Sequence, residues 1–329
     1  MPLKFFSALF CVIISASVFA QGGAATGGSI GVSFTALPQS SFKDTVGKFG
    51  YTALDISARI PLFGSKHQTA GRKKGAHLAD SSRHFYETSA RLGFGLLPID
   101  IGFLNTTRNF YNSSAGVGVS IGSGKNIFSI SANVGVAADG TVLQNNDTRY
   151  RFSGSFIVNH ISQSGTVFQY GVAFTYAYGR PLPLPVLGMY KRISLGNKWS
   201  LSGVLPLSVQ VTDHIDSKRQ LAFSLRPSGN RFQFANENVF ATTSPAVFMQ
   251  LRQFQLAAVY TYKFSQYFSL GADAGLLFAR KLKFTEQDDT KTILSQITIK
   301  PGPSFKISLR YSLPHKRPGI PENEAMNNY

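Results

Sequence analysis

The chain has 329 residues, with 33 basic residues against 16 acidic ones, 31 glycines, 13% aromatic residues and one cysteine. That length allows one large domain or two small ones, and a lone cysteine, Cys11, excludes a disulfide framework. A formal charge of +17 points to anionic partners: lipopolysaccharide phosphates, anionic lipid, a small anionic solute or nucleic acid.

The N-terminus narrows these. Lys4 precedes a mainly apolar run over 5–18, and Val18 and Ala20 stand at small-residue cleavage positions. This is the pattern of a secretory signal peptide over 1–20, cleaved near Ala20 to leave Gln21 first. The run is too short for a transmembrane anchor and has no polar stop behind it. Phe10 stands where lipoprotein processing needs a small residue before Cys11. The exported chain is then free of cysteine and keeps a formal +16, because only Lys4 is lost. Export also sets nucleic acid aside as a partner.

After residue 20 no stretch approaches the roughly eighteen apolar residues of a membrane helix. A closed β-barrel is the other structure that satisfies its own backbone in lipid. Period-two alternation runs along nearly the whole mature chain. Ile30, Val32, Phe34 and Ala36 alternate with serine, glycine and threonine in the first strand. Leu54, Ile56, Ala58, Ile60 and Leu62 follow in the second, with Asp55, Ser57 and Arg59 between them. The third carries Ala90, Leu92, Phe94 and Leu96 against Ser89, Arg91, Gly93 and Gly95. Ala115 to Ile121 and Phe128 to Val134 continue the pattern on either side of a turn at 122–126.

The later strands are stronger. Phe168, Tyr170, Val172, Phe174, Tyr176 and Tyr178 fill every second place. Trp199, Leu201, Leu205, Leu207, Val209 and Val211 suggest one strand over 199–212. Phe254 to Phe264, Phe268 to Phe278 and Phe305 to Leu313 complete the set. These runs match the roughly nine to eleven residues of a tilted transmembrane strand. Strands of soluble sandwiches are shorter, about five to six residues.

Short turns at 122–126, 162–165, 195–198, 227–230 and 265–267 alternate with longer polar connections at 138–148, 179–185, 212–219, 235–245 and 285–300. Periplasmic turns and external loops alternate in this way. The strand count is fourteen, or twelve if the weak pair 220–226 and 231–234 stays outside the membrane. Either even number returns both termini to the periplasm. The long basic connection 63–86 breaks the rule, and folding into the lumen is one account of it. The barrel is expected over 21–314. The segment 315–329, with Pro318 and Pro321, is expected to be a disordered periplasmic tail.

Several features resemble one family: PLPLPVLG at 181–188, the Trp199 strand running into Leu205 and Pro206, and Ser228, Gly229 and Asn230 before an aromatic strand. They are similar to uncharacterised bacterial outer-membrane barrels grouped as a domain of unknown function. The resemblance implies a fold and a location, and it carries no active-site residues with it.

By parity Asp55, Arg59, Arg91, Lys263, Asp273, Lys281, Lys306 and Arg310 point into the lumen, six basic and two acidic. This predicts an anion-favouring pore or pocket. The alternative is that the acids pair with basic neighbours and brace a plugged barrel. Tyr176, Tyr178, Tyr190, Trp199, Tyr260, Tyr262, Phe264 and Phe268 are expected in aromatic girdles near strand ends. His77, Asp80 and His84 would share a helix face and could hold zinc, but a solvated connection accounts for them and no metal site is assigned. His160 and His214 are candidate bases outside any recognisable motif, with no nucleophile elbow or phosphate loop in the chain. No cofactor and no catalysis are expected.

The resulting expectation is an all-β, transmembrane antiparallel up-and-down barrel in the bacterial outer membrane. It would act as a diffusion channel with a basic lumen, or else as a non-conducting structural or accessory barrel. Its partners would be outer-membrane lipid, lipopolysaccharide, the barrel-assembly machinery during biogenesis and, if it conducts, a small anionic solute.

Overall fold

In the computed structural model the alternating runs become the wall of a closed barrel. The structure describes residues 28–68, 83–102, 106–145, 148–177, 181–193, 198–205, 208–237, 239–286 and 292–313. The expected signal peptide and tail therefore lie outside the described residues. The strands are β1 (Ser29–Ser41), β2 (Lys48–Gln68), β3 (Arg83–Ile101), β4 (Thr106–Ser123), β5 (Asn126–Asp139), β6 (Arg151–Ile161), β7 (Val167–Ala177) and β8 (Pro181–Ile193). They continue as β9 (Trp199–Leu205), β10 (Ser208–His214), β11 (Arg219–Ser228), β12 (Arg231–Ala235), β13 (Ala246–Lys263), β14 (Phe268–Glu286), β15 (Ile293–Ile299) and β16 (Gly302–Ser312). One short helix, α1 (Gly140–Gln144), follows β5.

Each wall strand pairs antiparallel with its neighbours. β11 pairs with β13, β14 with β16, and β16 with β1 from Ser29 opposite Ser312 to Ala36 opposite Phe305. Of the sixteen strands among the described residues, β12 and β15 stay out of this ring, so fourteen close it. Ser29 and Ser312 mark one rim, here called the terminal end; the other is the distal end.

The two faces of the wall differ as the alternation requires. Val32, Phe34, Ile130, Phe174, Leu256, Ile307 and Leu309 are all exposed on the outside. A continuous apolar exterior of this extent is the surface of a barrel that spans a bilayer. Exposed Trp199, Tyr260, Tyr262, Phe264 and Phe268 gather near the terminal end, where Phe264 stacks on Phe268 at 5.7 Å. Tyr190 instead shares the inward phase of β8 with Val186 and Gly188. No helix among the described residues is long and apolar enough to cross a membrane.

Two departures from the sequence reading cancel in the count. Residues 199–212 are not one strand: β9 and β10 fold back on each other, with Leu201 opposite Val211. Proline at 206, which lies outside the described residues, cannot donate to a ladder and so cannot continue a central strand. This moves 212–219 to the terminal end and 227–230 to the distal end, the reverse of the expected sides. Residues 231–235 form a strand, but not a wall strand.

β12 and β15 flank the distal halves of β13 and β14 and make a four-stranded inner sheet in the order β12, β13, β14, β15. A bulge separates these halves from the wall: Arg252 pairs with Lys281, whereas Phe254 pairs with Phe278. Ala279 adopts φ +49° there. The sheet crosses the distal opening until Gln233 of β12 bridges Ala138 of β5, half the ring away from β13. Its apolar face packs Phe232, Phe234, Met249, Leu282 and Phe284 against Phe49, Leu97, Ile99, Ile101 and Phe110 of the opposite wall. Phe110 and Phe232 meet at 4.9 Å, and Phe234 and Phe284 at 6.0 Å. Each fully buried side chain of this size contributes about 1.5–3 kcal/mol. Glycine is required where β11 turns inward, because a Cβ at Gly229 would lie 2.2 Å from the Leu251 carbonyl oxygen.

The structure describes both ends of the connection 63–86, residues 63–68 and 83–86. β2 and β3 stay paired past the level where β1 begins, to Gln68 opposite Arg83, with β4 alongside β3 as far as His84 opposite Ser123. His77 and Asp80 lie outside the described residues.

Candidate functional site

The barrel interior is the candidate site, and its concave face is identified by side chains that reach across an intervening strand. Gln255 of β13 donates to Ser304 of β16 at 3.0 Å, over β14. Arg151 of β6 donates to Asn112 of β4 at 2.5 Å, over Gly135 of β5. Side chains of second-neighbour strands converge in this way only on the inside of a curved sheet.

Three groups of charge line it. The distal group fastens the inner sheet to the wall. Asp139 is 3% exposed and caps α1 by accepting from Val142 N at 2.9 Å. It also accepts from Ala235 N at 3.1 Å and from Arg108 Nη1 at 2.9 Å. Arg108 donates further to the Ala235 carbonyl and to Glu237, and lies over the Phe234 ring at 5.3 Å. Beneath the sheet, Arg280 is 1% exposed. It donates to Gln253 and to the Lys300 carbonyl, both at 3.1 Å, and sits over Phe49.

The middle group is balanced. Asp273 accepts from Arg226 at 3.2 Å and stands directly opposite Lys306. Lys306 also interacts with the charge of Asp55. Two cations thus meet two anions.

The terminal group is not balanced. Arg59 and Arg91 are cross-strand partners, and Arg59 interacts with the charges of both Arg91 and Arg310. Arg310 leans onto Ser29 at 3.2 Å, and Ser29 stands opposite Arg59. The acid of this group is Glu87, 2.9 Å from Arg59.

Of the eight residues assigned to the lumen by parity, Asp55 and Asp273 with Lys306, and Arg59 and Arg91 with Arg310, fall into these two groups. Lys263 is exposed at the terminal rim. Lys281 requires a correction: the bulge at 252–254 shifts the phase of β14, so Lys281 is exposed and Arg280 takes the buried inward position. The alternation could have yielded Arg226, which shares the phase of Ala222 and Ser224, and Glu87, which shares that of Ser89 and Arg91. Arg108 and Asp139 carried no such signal, because their partners come from a strand inside the barrel.

The candidate bases lie apart. His160 of β6 contacts Asn126 at 2.8 Å, and His214 of β10 contacts Ser200 at 3.0 Å. The charges around His214 are Arg192, Lys263 and Asp213. Among the described residues no group of three histidine, cysteine or acidic side chains could hold a metal ion.

No curated protein matches the sequence. Solved structures similar to the chain include an outer-membrane channel from Pseudomonas putida F1, with 9% identity, 90% of this chain and 100% of that one covered, and a TM-score of 0.40. The translocator domain of the autotransporter NalP from Neisseria meningitidis is 10% identical over 94% of each chain, with a TM-score of 0.34. The Pseudomonas putida toluene transporter TodX is 10% identical over 92% of this chain and 96% of that one, with a TM-score of 0.33. The family described as Domain of unknown function (DUF6268) matches residues 125–313, from the turn before β5 to the end of β16. That match spans more than half of the 329 residues, and the chain belongs to this family.

Proposed function

We propose that this barrel is an outer-membrane channel for a small anionic solute, closed at its distal end in the present state and therefore gated. The observation that supports this reading is the separation of the interior into an apolar lid and a polar chamber whose terminal end carries excess arginine. Hydrated ions do not cross a packed apolar sheet, so passage requires the inner sheet to move. The chamber below it has the small and charged lining that a permeating anion needs. The protein would reach the outer membrane after cleavage near Ala20, through the barrel-assembly machinery, and sit among lipid and lipopolysaccharide. The reading assigns it no catalysis and no cofactor.

The same inner sheet favours a second reading, a non-conducting barrel whose lid is a permanent core. Planar-bilayer recording on refolded protein separates the two. In the gated reading the wild type conducts little, and replacing Arg108 and Asp139 by alanine raises conductance by releasing β12 from β5. The current should prefer anions, and Arg310→Glu should move the reversal potential in a salt gradient further towards cations than Lys306→Glu does. Lys306 already faces two carboxylates, whereas Arg310 belongs to the excess. With screening over about 8 Å at physiological salt, charges lining a narrow chamber act on a passing ion. Absence of conductance in the released variants would establish the non-conducting reading.

A further inference from the structure

The terminal group is arranged as a binding site, and we propose that Arg59, Arg91 and Arg310 bind a doubly charged tetrahedral anion, a phosphoryl or sulfate group, at the terminal mouth of the chamber. Like charges directly opposite one another across a ladder are destabilising. Arg59 and Arg91 occupy such a pair, and Arg310 adds a third cation through Ser29. Glu87 neutralises one of the three. The remaining excess of two matches the charge of a phosphate monoester.

The surroundings fit the same ligand. Arg59 and Arg91 each carry a buried Nε without a hydrogen-bond partner among the described residues, a donor that Glu87 does not use. Neighbouring inward positions are small: Ser29, Gly31, Ser57, Ser89 and Gly118. A Cβ at Gly118 would approach Arg91 Nη2 to 3.3 Å. Small residues here leave the planar forks free to converge, and such forks recognise phosphate through paired N–H donors. The middle group offers no comparable excess, because Asp273 and Asp55 flank Lys306.

This site depends only on the inward position of the three arginines and not on conductance. It is tested by calorimetric titration of the refolded full-length barrel with inorganic phosphate at fixed ionic strength. Saturable binding is expected, weakened about tenfold or more by Arg91→Gln and by Arg310→Gln. Arg91→Lys, which keeps the charge and loses the fork, should weaken it as well. Glu87→Gln should tighten binding, a gain that misfolding cannot imitate. Lys191→Gln removes a charge from the exposed face of β8 and should leave binding unchanged. If only a monoacyl phosphate binds, with the same dependence on the arginines, the phosphoryl group is that of a lipid. Binding of neither probe, or equal weakening by Lys191→Gln, overturns the site even if the barrel conducts. A barrel that binds phosphate and never conducts retains the site and loses the channel.

Discussion

Over 254–263, β13 presents exposed apolar side chains on one face and polar or small ones on the other. Over 246–249 the same strand is buried on both faces. β14 divides at the same level, with exposed Leu270 and Leu276 below the bulge and buried Leu282 and Phe284 above it. One continuous strand thus serves two surroundings, lipid and water in one half and protein on both sides in the other. What distinguishes the halves is how each residue is paid back for leaving water: the wall needs every ladder bond and an apolar exterior, whereas the inner sheet needs close packing.

The sharpest test of that division is to break the wall and the inner sheet separately. Deleting β16 leaves β1 and β14 with open edges in lipid, where each unsatisfied backbone group costs several kcal/mol. Insertion should be abolished, as read by heat-modifiable mobility and protease protection in vesicles; a protected product would mean that the ring closes without β16. Next in size, Phe284→Ala should cost about 3–5 kcal/mol through the cavity it leaves. Urea unfolding of the folded protein in bilayers should show that loss while the wall remains inserted. If insertion fails too, the two regions are one cooperative unit.

Within the wall, Phe174→Arg should cost about 2–4 kcal/mol at the lipid face, and Thr175→Arg far less. Equal losses would contradict the assignment of faces. The smallest effect belongs to the turn between β10 and β11, outside the membrane. There the Arg219 guanidinium, helped by the Lys218 N–H, holds the Asp216 carboxyl below its ordinary value. A depressed folded value stabilises the protein above the unfolded carboxylate pKa, and the gain disappears as pH falls through the folded one. The melting difference between wild type and Asp216→Asn should therefore be present at neutral pH, fade in acid below about pH 4 and be small throughout. A difference that grows in acid would mean that the carboxyl is not held by Arg219.

The wall was legible because alternation records a two-faced environment residue by residue, as at 168–174. The inner sheet was not, for the same reason. Phe232 and Phe234 alternate with Arg231 and Gln233, as they would on a wall strand, and period two does not reveal which strand lies alongside. Across β9 and β10 odd positions stand opposite odd positions, so Trp199 to Val211 read as one strand although the two run antiparallel; Pro206 was the available signal. Lys281 was misplaced because an alanine at positive φ leaves no mark in the sequence. Arg59, Arg91 and Arg310 could be read from phase alone. Their convergence needed the register that brings β16, β1, β2 and β3 together.

The position of β12 and β15 in the chain bears on the order of assembly. Both lie within connections, β12 between β11 and β13 and β15 between β14 and β16. The ladders joining β11 to β13 and β14 to β16 run without them. The ring can therefore zip up through local hairpins and close through β1 and β16 while the inner strands are still unpaired. Docking of β12 on β5 joins segments about a hundred residues apart and becomes cheap in chain entropy only once the cylinder exists. Its natural place is the last step, so the newly closed barrel is open before it is lidded.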